Sequence, residues 1–104
     1  MLERAIEHHR NGELTPAEAG YRQVLQEEPE QPDALHLLGV LLHQLGESSA
    51  AIRSIRHSLS VEPNQPRAWN NLGNVYAAEE RWEKAVQGYE RAVALEAGYV
   101  EAHH

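Results

Sequence analysis

A chain of 104 residues that is 41% hydrophobic and 24% charged has the composition of a single globular domain, too small for a catalytic domain joined to a separate regulatory one. Its net charge of -7, from 16 acidic and 9 basic side chains, repels nucleic-acid phosphates on balance. The absence of Cys removes disulfides, zinc thiolates and thiol nucleophiles. No apolar run approaches the roughly 20 residues that span a bilayer, and the opening MLERAIEHHR lacks the apolar core of a secretory signal, so a cytoplasmic setting is the default expectation.

In chain order, Thr15-Pro16-Ala17-Glu18 predicts a helix start, with Thr15 as N-cap, Pro16 at the first helical position and Glu18 closing a capping box. Glu28-Pro29 and Gln31-Pro32 disfavour helix before each proline and permit a new helix from the second. Leu35, Leu38, Leu41, Leu42 and Leu45 then fall on one helical stripe. Gly46 ends that helix as a left-handed cap, and Ser48 or Ser49 is expected to cap the next, whose face runs Ala51, Ile52, Ile55 and Leu59. Glu62-Pro63 and Gln65-Pro66 repeat the earlier turn. Trp69, Trp82 and Tyr89, at helical spacing, are expected in the core.

These elements recur with a period of 34 residues, the separation of Pro29 from Pro63, Gly12 from Gly46 and Gly39 from Gly73. The same step relates Ala17, Ala51 and Ala85, then Tyr21, Ile55 and Tyr89, then Ala34, Ala68 and Ala102. Each period is a helical hairpin in which small residues let two backbones approach. Trp69, Leu72, Gly73, Tyr76, Ala85, Tyr89 and Ala92 form the W-x-x-L-G-x-x-Y and following A-x-x-x-Y pattern, which resembles the tetratricopeptide repeat. Leu35, Leu38, Gly39, Leu42, Ala51, Ile55, Ser58 and Pro63 carry it in the second unit, and Ala17, Tyr21 and Pro29 in the first, where Arg4, Ala5 and His8 replace the Leu, Gly and Tyr positions. Ala97 stands where the family usually has Pro.

The resemblance implies an all-α, right-handed superhelical array, an α-solenoid of three hairpins over 1–31, 32–65 and 66–99, with 100–104 starting a fourth unit or forming a tail. It also implies that the first helix of each hairpin lines a concave surface. The candidate groove residues are His36, Val40, His43, Gln44, Arg67, Asn70, Asn71 and Asn74, with Asp33, Ala77, Ala78, Leu2, Ile6, His9 and Arg10 alongside. Asn is a poor helix former, and an amide that both donates and accepts can clamp a peptide backbone; the alternative is that these Asn side chains are solvated or bond across the repeat interface. The N-N-L-G-N run resembles bacterial repeat proteins and the asparagine-lined repeats of O-linked N-acetylglucosamine transferases, although Leu37 and Val40, then Glu3 and Ile6, occupy the equivalent positions. A dicarboxylate clamp for chaperone tails would need Lys and Asn where Leu2 and Ile6 stand.

Other chemistry finds little support. No two of the seven histidines lie at the i,i+3 or i,i+4 spacing of a helical metal site, which leaves cross-helix pairing of His9 with His36. No phosphate-binding loop, dinucleotide fingerprint or nucleophile elbow occurs, so no cofactor is implied. Ser54 and His57, at outward positions of the pattern, have no orienting acid. Three readings remain: a non-catalytic scaffold that binds a peptide or protein segment, the repeat region of a larger enzyme such as a glycosyltransferase, and a self-assembly module. The fragmentary fourth unit suggests a piece of a longer array, with an apolar end near Val93, Tyr99 and Val100 that is expected either to associate with another copy or to be covered by the short tail. His103 and His104 are either native or a tag remnant.

Overall fold

The computed structural model describes residues 1–102, with side chains through residue 97; His103 and His104, and the side chains of Tyr99 and Val100 invoked above, lie outside it. Six helices follow one another: α1 (Leu2–Arg10), α2 (Leu14–Glu27), α3 (Pro32–Gln44), α4 (Ser48–Val61), α5 (Pro66–Ala78) and α6 (Trp82–Ala102). Among the described residues no helix is long and apolar enough to cross a membrane.

The three hairpins close through one turn, repeated. Gly12, Gly46 and Glu80 each adopt positive φ, of 78, 83 and 59°. The next residue in each case returns its N–H to the carbonyl five residues back: Glu13 to His8, Glu47 to Leu42 and Arg81 to Tyr76, all at 2.9 Å. That is the Schellman closure of a helix C-terminus. It also fixes where the following helix starts, since Glu13, Glu47 and Arg81 already accept from Ala17, Ala51 and Ala85 at 3.1, 2.9 and 3.0 Å. The expected side-chain caps are therefore absent. Glu13 rather than Thr15 precedes α2, Glu47 precedes α4, and neither start carries a side-chain capping bond; Thr15, Ser48 and Ser49 lie inside their helices. Gln31 does cap α3, accepting from the Ala34 N–H at 2.8 Å.

Ala17, Ala51 and Ala85 are buried at the hairpin crossings. Opposite them, a Cβ added at Gly73 would lie 2.8 Å from the Tyr89 ring and 3.0 Å from the Ala85 carbonyl, and one at Gly39 would collide with Ile55. The helices thus approach as closely as small residues allow. One continuous core runs through all three hairpins, from Ala5 and Tyr21 through Leu41 and Ile55 to Val75 and Ala85.

Two expectations about side chains fail at the third hairpin's edge and on α4. Trp82, the first residue of α6, is 61% exposed, because the turn delivers it before the helix reaches α5; Trp69 and Tyr89 do pack against the core. Ser54 does not point outward but donates to the Leu35 carbonyl at 2.6 Å, pinning α4 to α3. The chain after residue 97 also departs from expectation: it continues α6 through Ala102 instead of turning into a further helix. Pro29 and Pro63 keep the chain from continuing as helix beyond α2 and α4, whereas Ala97 keeps its N–H and brings no ring, so α6 runs on.

First helices touch one another, α1 with α3 and α3 with α5, whereas among the described residues the second helices do not. The array consequently bends toward α1, α3 and α5, which form its inner face.

Candidate functional site

The inner face carries a chain of polar links between repeats. His9, on α1, has its Nδ1 at 2.8 Å from the Tyr21 hydroxyl and its Nε2 in contact with Oε1 of Gln44, on α3. A carbonyl oxygen only accepts, so with this amide orientation Nε2–H donates to Gln44 and Nδ1 accepts from Tyr21. The Tyr21 ring meets the imidazole edge-on, with centroids 5.7 Å apart, and burial raises the Tyr21 pKa above its usual value, keeping the hydroxyl protonated for this bond.

One repeat further, Nδ2 of Asn71 on α5 donates to Nε2 of His36 on α3 at 2.8 Å. His36 is buried, and that burial pushes its pKa below the ordinary 6.5; the Arg67 charge pushes the same way and Asp33 opposes. A neutral imidazole is what an amide donor needs. In the third hairpin the Tyr89 hydroxyl donates to Oδ1 of Asn74 at 2.7 Å. His9 and His36 are thus each engaged elsewhere and do not pair. Among the described residues no group of three or more His, Asp or Glu side chains is placed to hold a metal ion.

The three asparagines divide. Asn71 bonds across the repeat interface and Asn74 within its hairpin, while Asn70 is exposed and makes no side-chain hydrogen bond among the described residues. Arg67, Asn70 and Asn71 share a cleft of about 310 Å³ with Ala92, Val93 and Glu96 of α6. Val40 is half-buried between the two links, and Gln44, although exposed, is drawn toward α1 by His9. His43 is half-buried with its Nδ1 sequestered and without a partner among the described residues. The hydroxyls of Tyr21 and Tyr89 have roles that the repeat pattern alone does not disclose; the signal for them is the 34-residue relation of both positions to the wholly apolar Ile55.

Repeated hairpins, a polar inner face and a shared core define a helical-repeat scaffold of the protein-interaction type. Two models of the tetratricopeptide repeat match, over residues 8–70 and 66–99, and the chain belongs to that family. Among solved structures, the Thermobaculum terrenum O-GlcNAc transferase is similar at 32% identity with a TM-score of 0.90, covering 98% of this chain and 20% of that one. MamA is similar at 21% identity and a TM-score of 0.86, covering 93% and 57%. The first TPR of Spaghetti (RPAP3), bound to the HSP90 peptide SRMEEVD, is similar at 19% identity and a TM-score of 0.87, covering 91% and 75%. The chain therefore spans little more than half of MamA and a fifth of the transferase. No curated protein matches the sequence.

Proposed function

We propose that the chain clamps an extended or helical peptide segment along its inner face, with His36, Val40, His43, Gln44, Arg67, Asn70, Asn71 and Asn74 lining the groove. The observation that carries the reading is the cleft in which exposed Arg67 and Asn70 stand beside Asn71. His36 and Tyr89 hold Asn71 and Asn74 in fixed positions, so the amides are oriented before a ligand arrives, which lowers the ordering cost of binding. The RPAP3 domain, bound to its peptide, is a precedent for such use of the fold.

The test is a peptide-array screen followed by titration of the best ligand against the double variant Arg67→Ala/Asn70→Ala. Neither side chain has a hydrogen-bond partner among the described residues, so thermal stability should hold while affinity drops at least about tenfold, the effect of losing one charge-assisted contact. Undiminished binding by that variant rules the groove out.

A second reading rests on α6. Ile52 and Leu59 of α4 are 8% and 6% exposed, while Val86 and Val93, one period later, are 52% and 65% exposed. That face is shaped to receive a first helix, either from a further repeat, as in a larger enzyme resembling the transferase, or from another copy. Sedimentation that shows association of the chain, abolished by Val86→Glu/Val93→Glu, would select the second copy.

A further inference from the structure

The geometry points to a second binding site, on the outer face, for an acidic peptide segment that carries an apolar side chain. Because the backbones of α4 and α6 stay more than 8 Å apart at every Cα pair among the described residues, the side of α5 turned toward them is left as the floor of a gap. It forms a cleft of about 360 Å³ in which Leu59, Trp69, Leu72 and Tyr76 supply the apolar surface and Arg56 and Lys84 stand at the walls. The Trp69 indole is held in place by its N–H bond to the Pro63 carbonyl, at 2.8 Å.

Charge singles this cleft out. Arg81 and Lys84 lie over the Tyr76 ring at 4.9 and 5.6 Å from its centroid, and Arg91 over Trp69 at 5.7 Å. With Arg56, this gathers four of the chain's nine basic side chains around two rings, in a protein with 16 acidic ones. Arg81 pairs with Glu79 at 3.8 Å, but among the described residues no carboxylate lines the cleft and Arg56, Lys84 and Arg91 form no ion pair. Arg56, Lys84 and Arg91, left without counter-charges, make the rim of this cleft locally positive.

The occupant follows from what the rings leave free. Tyr76 is buried, and Arg91 stands over the half-buried Trp69 ring, which narrows the room for base stacking, while the chain's net charge of -7 opposes a polyanion such as nucleic acid. What apolar surface the cleft keeps open comes from the half-buried Trp69 indole, with Leu59 and Leu72 nearly covered beside it, and it suits a Leu or Ile side chain flanked by carboxylates that reach Arg56 and Lys84.

The test uses an acetylated, amidated Glu-Leu-Glu-Glu-Leu-Glu peptide, its Gln-Leu-Gln-Gln-Leu-Gln counterpart and a thymidine hexanucleotide, titrated into the isotope-labelled chain. Expected are shifts of the Trp69 indole N–H and the Gly88 amide with the acidic peptide alone. Affinity should fall at least about tenfold in Arg56→Gln/Lys84→Gln, two exposed positions, and stay unchanged in Arg67→Ala/Asn70→Ala, which separates this site from the inner groove. Equal binding of the Gln peptide, equal binding of the hexanucleotide, or shifts that survive in Arg56→Gln/Lys84→Gln would each overturn the proposal.

Discussion

The second and third hairpins share one skeleton and differ in what surrounds it. Both place a glycine of the first helix against an alanine of the second, Gly39 with Ala51 and Gly73 with Ala85, and both close through the same turn. The second is covered on both sides, by α2 and by α5, whereas among the described residues α6 packs against α5 alone. Identical backbone solutions therefore sit in environments of different stiffness. Family positions set the local geometry, and neighbours decide what each deviation costs.

The largest effect should come from overfilling the hairpin crossings. Ala51→Leu forces extra volume between α3 and α4 while α5 prevents α4 from yielding, and about 3 kcal/mol of stability should be lost; Ala85→Leu should cost about 1 kcal/mol, since α6 can move outward. Chemical denaturation of the two variants measures the difference. Equal losses would show that each hairpin packs as an independent unit and that the comparison has no energetic content.

The turns sharpen it at smaller scale. Gly46 takes φ 83° at no steric cost, but Glu80 takes φ 59° with a Cβ, which strains the backbone by about 1 kcal/mol. Glu80→Gly should stabilise the chain by up to about 1 kcal/mol, reduced by the greater freedom of glycine in the unfolded chain, and Gly46→Glu should destabilise it by a similar amount. Thermal melts that rank the two variants the other way would mean that the Glu80 side chain makes up for its own strain.

How legible this was follows from the physics of each feature. The 34-residue step, the small residues at crossings and the prolines between hairpins were readable, because sterics and helical period leave few alternatives at Gly39, Ala51 or Pro32. The helix starts at Thr15 and Ser48 were misplaced, since a local capping motif yields to a turn whose closure already fixes the register. Glu80 concealed the third turn because its residue type argues against positive φ. On the inner face, the residues that share a side could be named from periodicity, but not which of them are already engaged. That Asn71 serves His36 while Asn70 remains open depends on distances between helices, which no spacing along one chain encodes.

The smallest expected effect bears most directly on whether the units are interchangeable. Tyr21 and Tyr89 send hydroxyls to His9 and Asn74, while the equivalent Ile55 has none to send. His43, one period after His9, keeps a sequestered Nδ1 without a partner among the described residues. The second unit repeats the apolar and imidazole pair of the first, Val40 and His43 for Ile6 and His9, so a hydroxyl at position 55 should find His43. Ile55→Tyr adds volume, but Gly39 offers more room than the Ala5 that accompanies Tyr21. The gain of a buried hydrogen bond, about 1 kcal/mol, should nearly offset the repacking, leaving stability within about 1 kcal/mol of the parent chain. The imidazole nitrogen resonances of His43 should move toward those of His9 as its tautomer becomes fixed. A loss near 3 kcal/mol with His43 unchanged would instead mean that the second unit's core is fitted to isoleucine and that its orphan nitrogen has another use, the inner groove being the place to look for it.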